Sequence, residues 1–347
     1  MCKALIIGGQ HYLPLSHGVG REDGRDLVVE ARRAGYAVAS TAAELHTIES
    51  LPAIGLFNAS HVSYVIDRRG LDAAAAGAAA AARGDAAPAP AAAPTNPTQE
   101  PTLAQMTTKA MSLLARESPQ GYFLMVEAGR IDHGAHTNDA AAILGEVFEL
   151  EEAWAAARRL VAEGDGGAEG DTLLIVTSDH DCGGLSVGCC ERLDVDIAGL
   201  MSLNASLAQI TRHIVQGEVS AARALAEHGF ANASGRVPGL EAHERTMRTE
   251  RILAAGQHAH VAGQHSFPTD AVEEDNRGFA RAVSRELGVG FTSHDHTGVD
   301  VGVYADGPGA DLFRGVMDNS QVGQRLFQLL GLEWDSLGAR SEHPAEK

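Results

Sequence analysis

The stretch Gly121–Leu144, GYFLMVEAGRIDHGAHTNDAAAIL, decides how the rest of the chain is read. It opens on an unbroken apolar run, Tyr122 to Val126, with a glycine before it and an acid after it. A run this short, bounded in this way, predicts a strand buried on both faces of a parallel sheet. Four groups able to hold a divalent cation, Glu127, Asp132, His133 and His136, follow within ten residues. Thr137 or Asn138 then suits the N-cap of a helix whose apolar face carries Ile143, Leu144, Val147, Leu150 and Trp154. These polar side chains therefore leave the carboxyl end of a strand, where open α/β sheets place their sites. Carboxylate and imidazole together on one connection suit a metal ion.

Two further clusters have the same character. The apolar run Thr172 to Thr177, TLLIVT, passes directly into Ser178-Asp179-His180-Asp181. Ser293-His294-Asp295-His296-Thr297-Gly298 precedes a strand expected at Val301 to Tyr304. By contrast, His258, His260 and His265 lie among Gln, Ala and Gly with no strand end to present them, and read as a solvated loop. Strands are also expected at Ala4–Ile7, Tyr36–Ala39 and Ala53–Phe57. Helices are expected at residues 24–34, Leu103–Leu114, Leu200–Val215, Ala221–Leu225, Glu241–Ala254 and Val322–Leu330. This alternation implies right-handed βαβ units in one domain, residues 1–335, followed by a polar tail, 336–347. Residues 72–95 are almost wholly Ala, Gly and Pro, and read as a low-complexity surface insertion.

Composition narrows the function classes. The chain has 347 residues and a formal net charge of −19, without Lys/Arg clusters, which argues against a nucleic-acid partner. A phosphate-bearing substrate would be repelled at long range unless bound cations reverse the local sign. No run of eighteen apolar residues spans a membrane. The start, MCKALIIGGQ, is no signal peptide, and a chain opening directly on a core strand is expected to lack an upstream part. The four cysteines, Cys2, Cys182, Cys189 and Cys190, show no zinc-finger spacing.

Gathering Asp and His from three distant segments costs electrostatic and desolvation energy, and a metal centre is the usual compensation. His and Asp without a cysteine ligand set suit catalytic zinc, and a neighbouring Glu suits magnesium. Two zinc ions a few ångströms apart are the standard arrangement for in-line phosphoryl transfer. The residues alone thus point to a dinuclear metallohydrolase.

VEAGRIDHGAH (from Val126), VTSDH with GGL after it (from Val176) and HDHTGVDVGVYADGP (from His294) resemble the alkaline phosphatase family in order and spacing, from about Leu5 to Leu332. The resemblance implies an α/β, three-layer sandwich with a central, mostly parallel sheet, here N-terminally truncated. It also implies a homodimer that hydrolyses phosphate monoesters with two zinc ions and one magnesium ion. By position, Asp132, His136 and His296 look like ligands of the first zinc, Asp179 and His180 of the second, and Glu127 of the magnesium. The HTG after the pair of histidines selects His296 rather than His294, and His133 falls beside the bound phosphate.

The departures are equally specific. The family's Asp-Ser nucleophile motif, its phosphate-binding arginine, the aspartate shared by zinc and magnesium, and the Thr or Ser of the magnesium site have no counterpart here. No catalytic nucleophile is therefore assigned in this chain, which alone is expected to turn over phosphate esters far more slowly than a complete member. Cys182 stands where bacterial members often have Thr. Family members usually work in the periplasm, outside the cell or on its outer surface. A phosphomutase or sulfatase-like relative and a non-catalytic metal-binding fragment are the alternative readings, and HTGVDVGVY (from His296) favours the phosphatase over the first of them.

Overall fold

A computed structural model of the protein describes residues 4–9, 25–58, 61–69, 99–164, 170–189, 193–215, 220–230 and 277–332. The insertion read at 72–95, the helix read at Glu241–Ala254, the histidines His258, His260 and His265, and the tail from Ser336 lie outside the described residues.

The amino-terminal part is a parallel sheet of three strands, β1 (Ala4–Gly9), β2 (Ala37–Ala39) and β3 (Ala53–Asn58), in the order β1-β3-β2. Helices α1 (Leu27–Arg33) and α2 (Ala42–Thr47) make the connections, each started by a side-chain cap, from Asp26 and Thr41. The central strand β3, AIGLFN, is buried along most of its length, which its near-continuous apolar run requires. Helix α3 (Leu103–Glu117) covers it, setting Leu113 against Ala39, Leu45, Ile48, Ala53 and Phe57. A capping box between Thr102 and Gln105 fixes the start of α3.

A short helix α4 (Arg130–His136) and a long helix α5 (Ala140–Glu163) follow. The helix start expected at Thr137 or Asn138 falls instead at Asp139, whose carboxylate accepts from the Ala142 backbone N–H at 3.0 Å. The same carboxylate accepts from Leu207 N–H at 2.6 Å, so one buried side chain starts α5 and ties it to α7 (Leu207–Val215). The apolar face predicted for α5 is met in part, with Ile143 and Leu144 half-buried against the main core and Leu150 and Trp154 half-buried. Its buried positions are Ala140, Ala141, Ala142, Glu146, Glu149, Ala153, Ala156 and Ala157, while Val147 is exposed. The reason is packing distance combined with charge pairing. Alanines let neighbours approach closely, and the two glutamates find buried donors in Val65 N–H and Arg68.

The main apolar core lies at the amino-terminal end of α5. It joins α6 (Ile197–Ser202), α7, α8 (Ala221–Glu227) and α9 (Arg277–Glu286) through Leu200, Ile210, Leu225, Phe279 and Val283.

Three antiparallel ladders then pair chain segments 174–187 and 289–306. They are β4 (Leu174–Thr177) with β9 (Val303–Asp306), β5 (Asp181–Cys182) with β8 (His296–Thr297), and β6 (Leu185–Val187) with β7 (Val289–Phe291). At the first interruption residues 178–180 face 298–302, and at the second residues 183–184 face 292–295. Each break leaves two more residues on the returning segment, so both segments bend there. The second and third polar clusters sit at these bends. A 3-10 turn (Ala310–Phe313) and helix α10 (Asn319–Leu329) complete the described chain.

Two expected strands are corrected. Tyr122–Val126 forms no strand, and Phe123 and Met125 are 64% and 68% exposed. Strand β4 is only partly buried and runs antiparallel to β9. A short apolar run carries no information about which partner it finds or in which direction. Parallel pairing among the described residues is that of β1, β3 and β2.

Burial pushes the Glu146 carboxyl up to about 7 from 4.5, with Glu149 nearby adding to the rise. The folded state therefore holds its proton where the unfolded chain has released it, between those two values. The stabilisation is fully present below pH 4.5 and is lost as the pH climbs to about 7. Unfolding free energies measured across this window should fall with rising pH, by up to about 3 kcal/mol from this group. In Glu146→Gln the decline should be correspondingly shallower; equal slopes in the two proteins would count against the assignment.

Candidate metal centre

Helix α4 supplies the first two donors. Asp132 and His136 are four residues apart on it and therefore share a face. The opposite face packs on α5, where a Cβ added at Gly134 would stand 3.0 Å from Ile143 Cγ1. Small residues at Gly134 and Ala135 thus seat the helix and turn its ligands outward.

The third donor arrives through the β5–β8 ladder. Asp181 stands opposite Thr297 and accepts its hydroxyl, and Cys182 stands opposite His296. Gly183, at φ +74°, turns the chain after β5, and its N–H donates to the Asp295 carbonyl at 3.0 Å. A Cβ at Gly183 would come within 2.9 Å of the Ala135 carbonyl, on the backbone of α4. This close approach is what brings His296 to Asp132 and His136. Gly183→Ala is expected to destabilise the protein by about 2–3 kcal/mol, combining left-handed strain with the displacement of α4. Denaturant unfolding checks it, and a loss under about 0.5 kcal/mol would contradict the contact.

The histidines are oriented by carbonyls. His136 Nδ1 donates to the His294 carbonyl at 2.5 Å, which leaves the Nε2 lone pair facing the cluster. His294 Nδ1 returns a bond to the His136 carbonyl at 3.1 Å. Asn138, at φ +57°, donates from Nδ2 to both Ala135 O and Ser293 O at 2.9 Å. The end of α4 is therefore bonded three times to the segment carrying His296.

The separations fit a tetrahedral ion. His136 Nε2 and His296 Nε2 are 3.1 Å apart, with Asp132 Oδ2 3.4 Å from the first and Asp132 Oδ1 3.6 Å from the second. Two donors held at about 2.0–2.2 Å from zinc at the tetrahedral angle stand roughly 3.4 Å apart. Asp132 Oδ1 is buried with no hydrogen-bond partner, as a carboxylate oxygen reserved for a cation would be.

Asp179 and His180 adjoin this set. The His180 ring stacks on His296 with centroids 3.4 Å apart, and its Nε2 lies 3.3 Å from Asp179 Oδ2. His180 Nδ1 is buried without a hydrogen-bond partner. Ser178 is held in its own turn, donating to the His180 carbonyl at 2.8 Å. Glu127 is exposed after the apolar run, its carboxylate folded over Gly129 and outside the cluster of Asp132, His136, Cys182 and His296.

His133 faces a different neighbourhood. It accepts from Arg130 Nη1 at 2.8 Å and meets the His61 ring edge-on at 4.3 Å, while Arg130 lies over Tyr64 at 3.6 Å. Burial, with the positive Arg130 beside it, holds His133 down at about 4, so it is a neutral imidazole at neutral pH.

Sequence reasoning missed Cys182 and His61. The ladder places Cys182 against His296, and its thiol, which burial and the nearby Asp132 push up to about 12, donates to the Asp132 carbonyl at 3.8 Å. Its place two residues after His180 was the available signal. Nothing near His61 in the sequence marks it.

The family profile described as Alkaline phosphatase matches residues 3–332. Alkaline phosphatase 4 of Bacillus subtilis is 25% identical over 329 residues, covering 93% of this chain and 59% of the relative. The alkaline phosphatase of Schizosaccharomyces pombe is 28% identical, covering 92% of this chain and 53% of the relative. The crystal structure of Thermus thermophilus alkaline phosphatase superposes with a TM-score of 0.68 at 26% identity, covering 95% of this chain and 63% of that one. A cold-active alkaline phosphatase from the psychrophile Shewanella sp. gives a TM-score of 0.66 at 25% identity, covering 94% of this chain and 65% of that one. The chain thus has the α/β fold of these enzymes and spans between half and two thirds of their length. With the profile matched over nearly its whole length, the chain belongs to the alkaline phosphatase family.

Proposed function

We propose that the protein acts as a zinc- and magnesium-dependent phosphate monoester hydrolase, turning over slowly because no nucleophile is assigned among its residues. Asp132, His136 and His296 would hold one zinc ion, Asp179 and His180 would contribute to a second, and Glu127 would serve the magnesium. The observation that carries this reading is the convergence of Asp132, His136 and His296, whose nearest donor atoms stand 3.1–3.6 Å apart, close to the donor separation around one tetrahedral ion.

Bound there, zinc supplies positive charge to the oxygens of a phosphate ester. The chain's own residues prepare for that. The His294 carbonyl holds the His136 tautomer, and the ladder with its Thr297–Asp181 bond fixes the His296 backbone. Because the chain carries a formal net charge of −19, attraction of a phosphate must come from this local centre. A homodimer is the assembly proposed with this reading.

The test uses dialysed, folded protein. Zinc retention by elemental analysis, with hydrolysis of an aryl phosphate but not an aryl sulfate, supports the proposal. His136→Ala should abolish both zinc retention and turnover. Folded protein that retains no zinc would sink it, and zinc retention without turnover would leave a non-catalytic metal-binding chain.

A further inference from the structure

We infer that Cys182 is a further ligand of this centre, a soft donor that favours thiophilic cations such as zinc and cadmium over magnesium. The inference rests on the metal reading above and deepens it. Four donor atoms, from Asp132, His136, Cys182 and His296, all lie within 4.8 Å of one another. They come from three chain segments that only the fold brings together. A thiolate at about 2.3 Å and an imidazole at about 2.0 Å from one zinc stand roughly 3.5 Å apart, so closing the set brings the donors together by about 1 Å at most.

The backbone makes this placement specific. Cys182 is the residue directly opposite His296 in the β5–β8 ladder, and side chains so paired have Cβ atoms about 4.5–5.5 Å apart. Its thiol already rests against α4, donating to the carbonyl of Asp132, the residue whose carboxylate is another donor. Cys182 takes part in no disulfide. Three protein donors leave a tetrahedral ion one open position, the Cys182 sulfur lies beside them to take it, and a phosphate oxygen would then enter as a fifth ligand. Thiolate selects soft and borderline cations, whereas carboxylate and water suit magnesium. When the sulfur binds, the S–H bond breaks, a sulfur–metal bond forms and the proton passes to the buffer.

Affinity alone does not separate a ligand from an outer neighbour, since losing an outer partner already costs about 10–100-fold. Thiolate-to-metal charge transfer does. The probe is cadmium, added to the full chain and to a variant in which Cys2, Cys189 and Cys190 are serine. Bound cadmium is measured by elemental analysis and the ultraviolet charge-transfer absorption is recorded in parallel. The absorption is expected in both proteins, and should be lost on Cys182→Ser in either background while cadmium is still retained. The preference for cadmium over magnesium should fall by about tenfold or more in Cys182→Ser. Cadmium retained in a His136-dependent manner without the absorption, or an absorption that survives Cys182→Ser, overturns the role of Cys182. No retained cadmium in either folded protein overturns the metal centre itself and this inference with it.

Discussion

Glu149→Ala is expected to lower the unfolding free energy by about 3–5 kcal/mol, among the largest effects of any single substitution in the described chain. Glu149 and Arg68 form a two-pronged ion pair, with Arg68 Nη2 at 2.7 and 2.6 Å from the two carboxylate oxygens. Their side chains are 8% and 7% exposed. Glu149 also accepts from Leu103 N–H at 3.2 Å, and Arg68 donates to the Pro101 carbonyl at 3.2 Å. The pair therefore binds the start of α3 to α5 and to the helical residues 65–69. Removing the carboxylate strands a guanidinium in a dry site and leaves the Leu103 N–H without its acceptor. The neighbouring pair Arg69–Glu152 supplies a control. It closes at 3.1 Å with both side chains 56% exposed, and Glu152→Ala should cost less than about 1 kcal/mol. Denaturant unfolding of both variants measures the contrast, and equal losses would refute it. Replacing Arg68 and Glu149 together by apolar residues of similar volume should recover much of the loss, because what is costly is the single unpaired charge.

This pair also shows what the sequence conceals. Arg68 and Glu149 are 81 residues apart, and nothing in the local pattern of α5 announces that its buried face carries two acids. The apolar residues at helical spacing marked only part of the packed face, Ile143 and Leu144 lying half-buried on the core, because an alanine-rich helix also buries small residues and satisfied acids. Other parts were legible for a physical reason. Asp132 and His136 were readable as candidates because groups able to bind a metal are few and their spacing is local, although the segment is a helix where a loop was expected. Glycines at 129 and 134 hide that helix from propensity, yet both sit where a Cβ would meet a neighbour within about 3 Å. The choice of His296 over His294 rested on the residues around it. Geometry gives each a separate task, since the His294 carbonyl orients His136 while the His296 ring joins the donors. Cys182 could be found only through strand pairing, because its side depends on register with β8 and register is a long-range property.

The last expectation turns on that division of labour. His296→Ala should weaken zinc binding by about two orders of magnitude or more, whereas His294→Ala should weaken it by less than about tenfold. Structural zinc sites with four ligands bind with about 10–16 kcal/mol, so one protein ligand accounts for roughly 3 kcal/mol, or about a hundredfold. His296 contributes its Nε2 at 3.1 Å from that of His136, and alanine leaves nothing in its place. The contribution of His294 that matters most is a main-chain carbonyl, which alanine retains, so His136 keeps its Nδ1–H acceptor and its tautomer. Alanine there removes only the ring bond to the His136 carbonyl. Competition of each variant against a chelator of known zinc affinity gives the two numbers directly. If the two substitutions cost the same, the ring at 294 is a ligand in its own right and the arrangement of donors derived from the β5–β8 ladder is wrong.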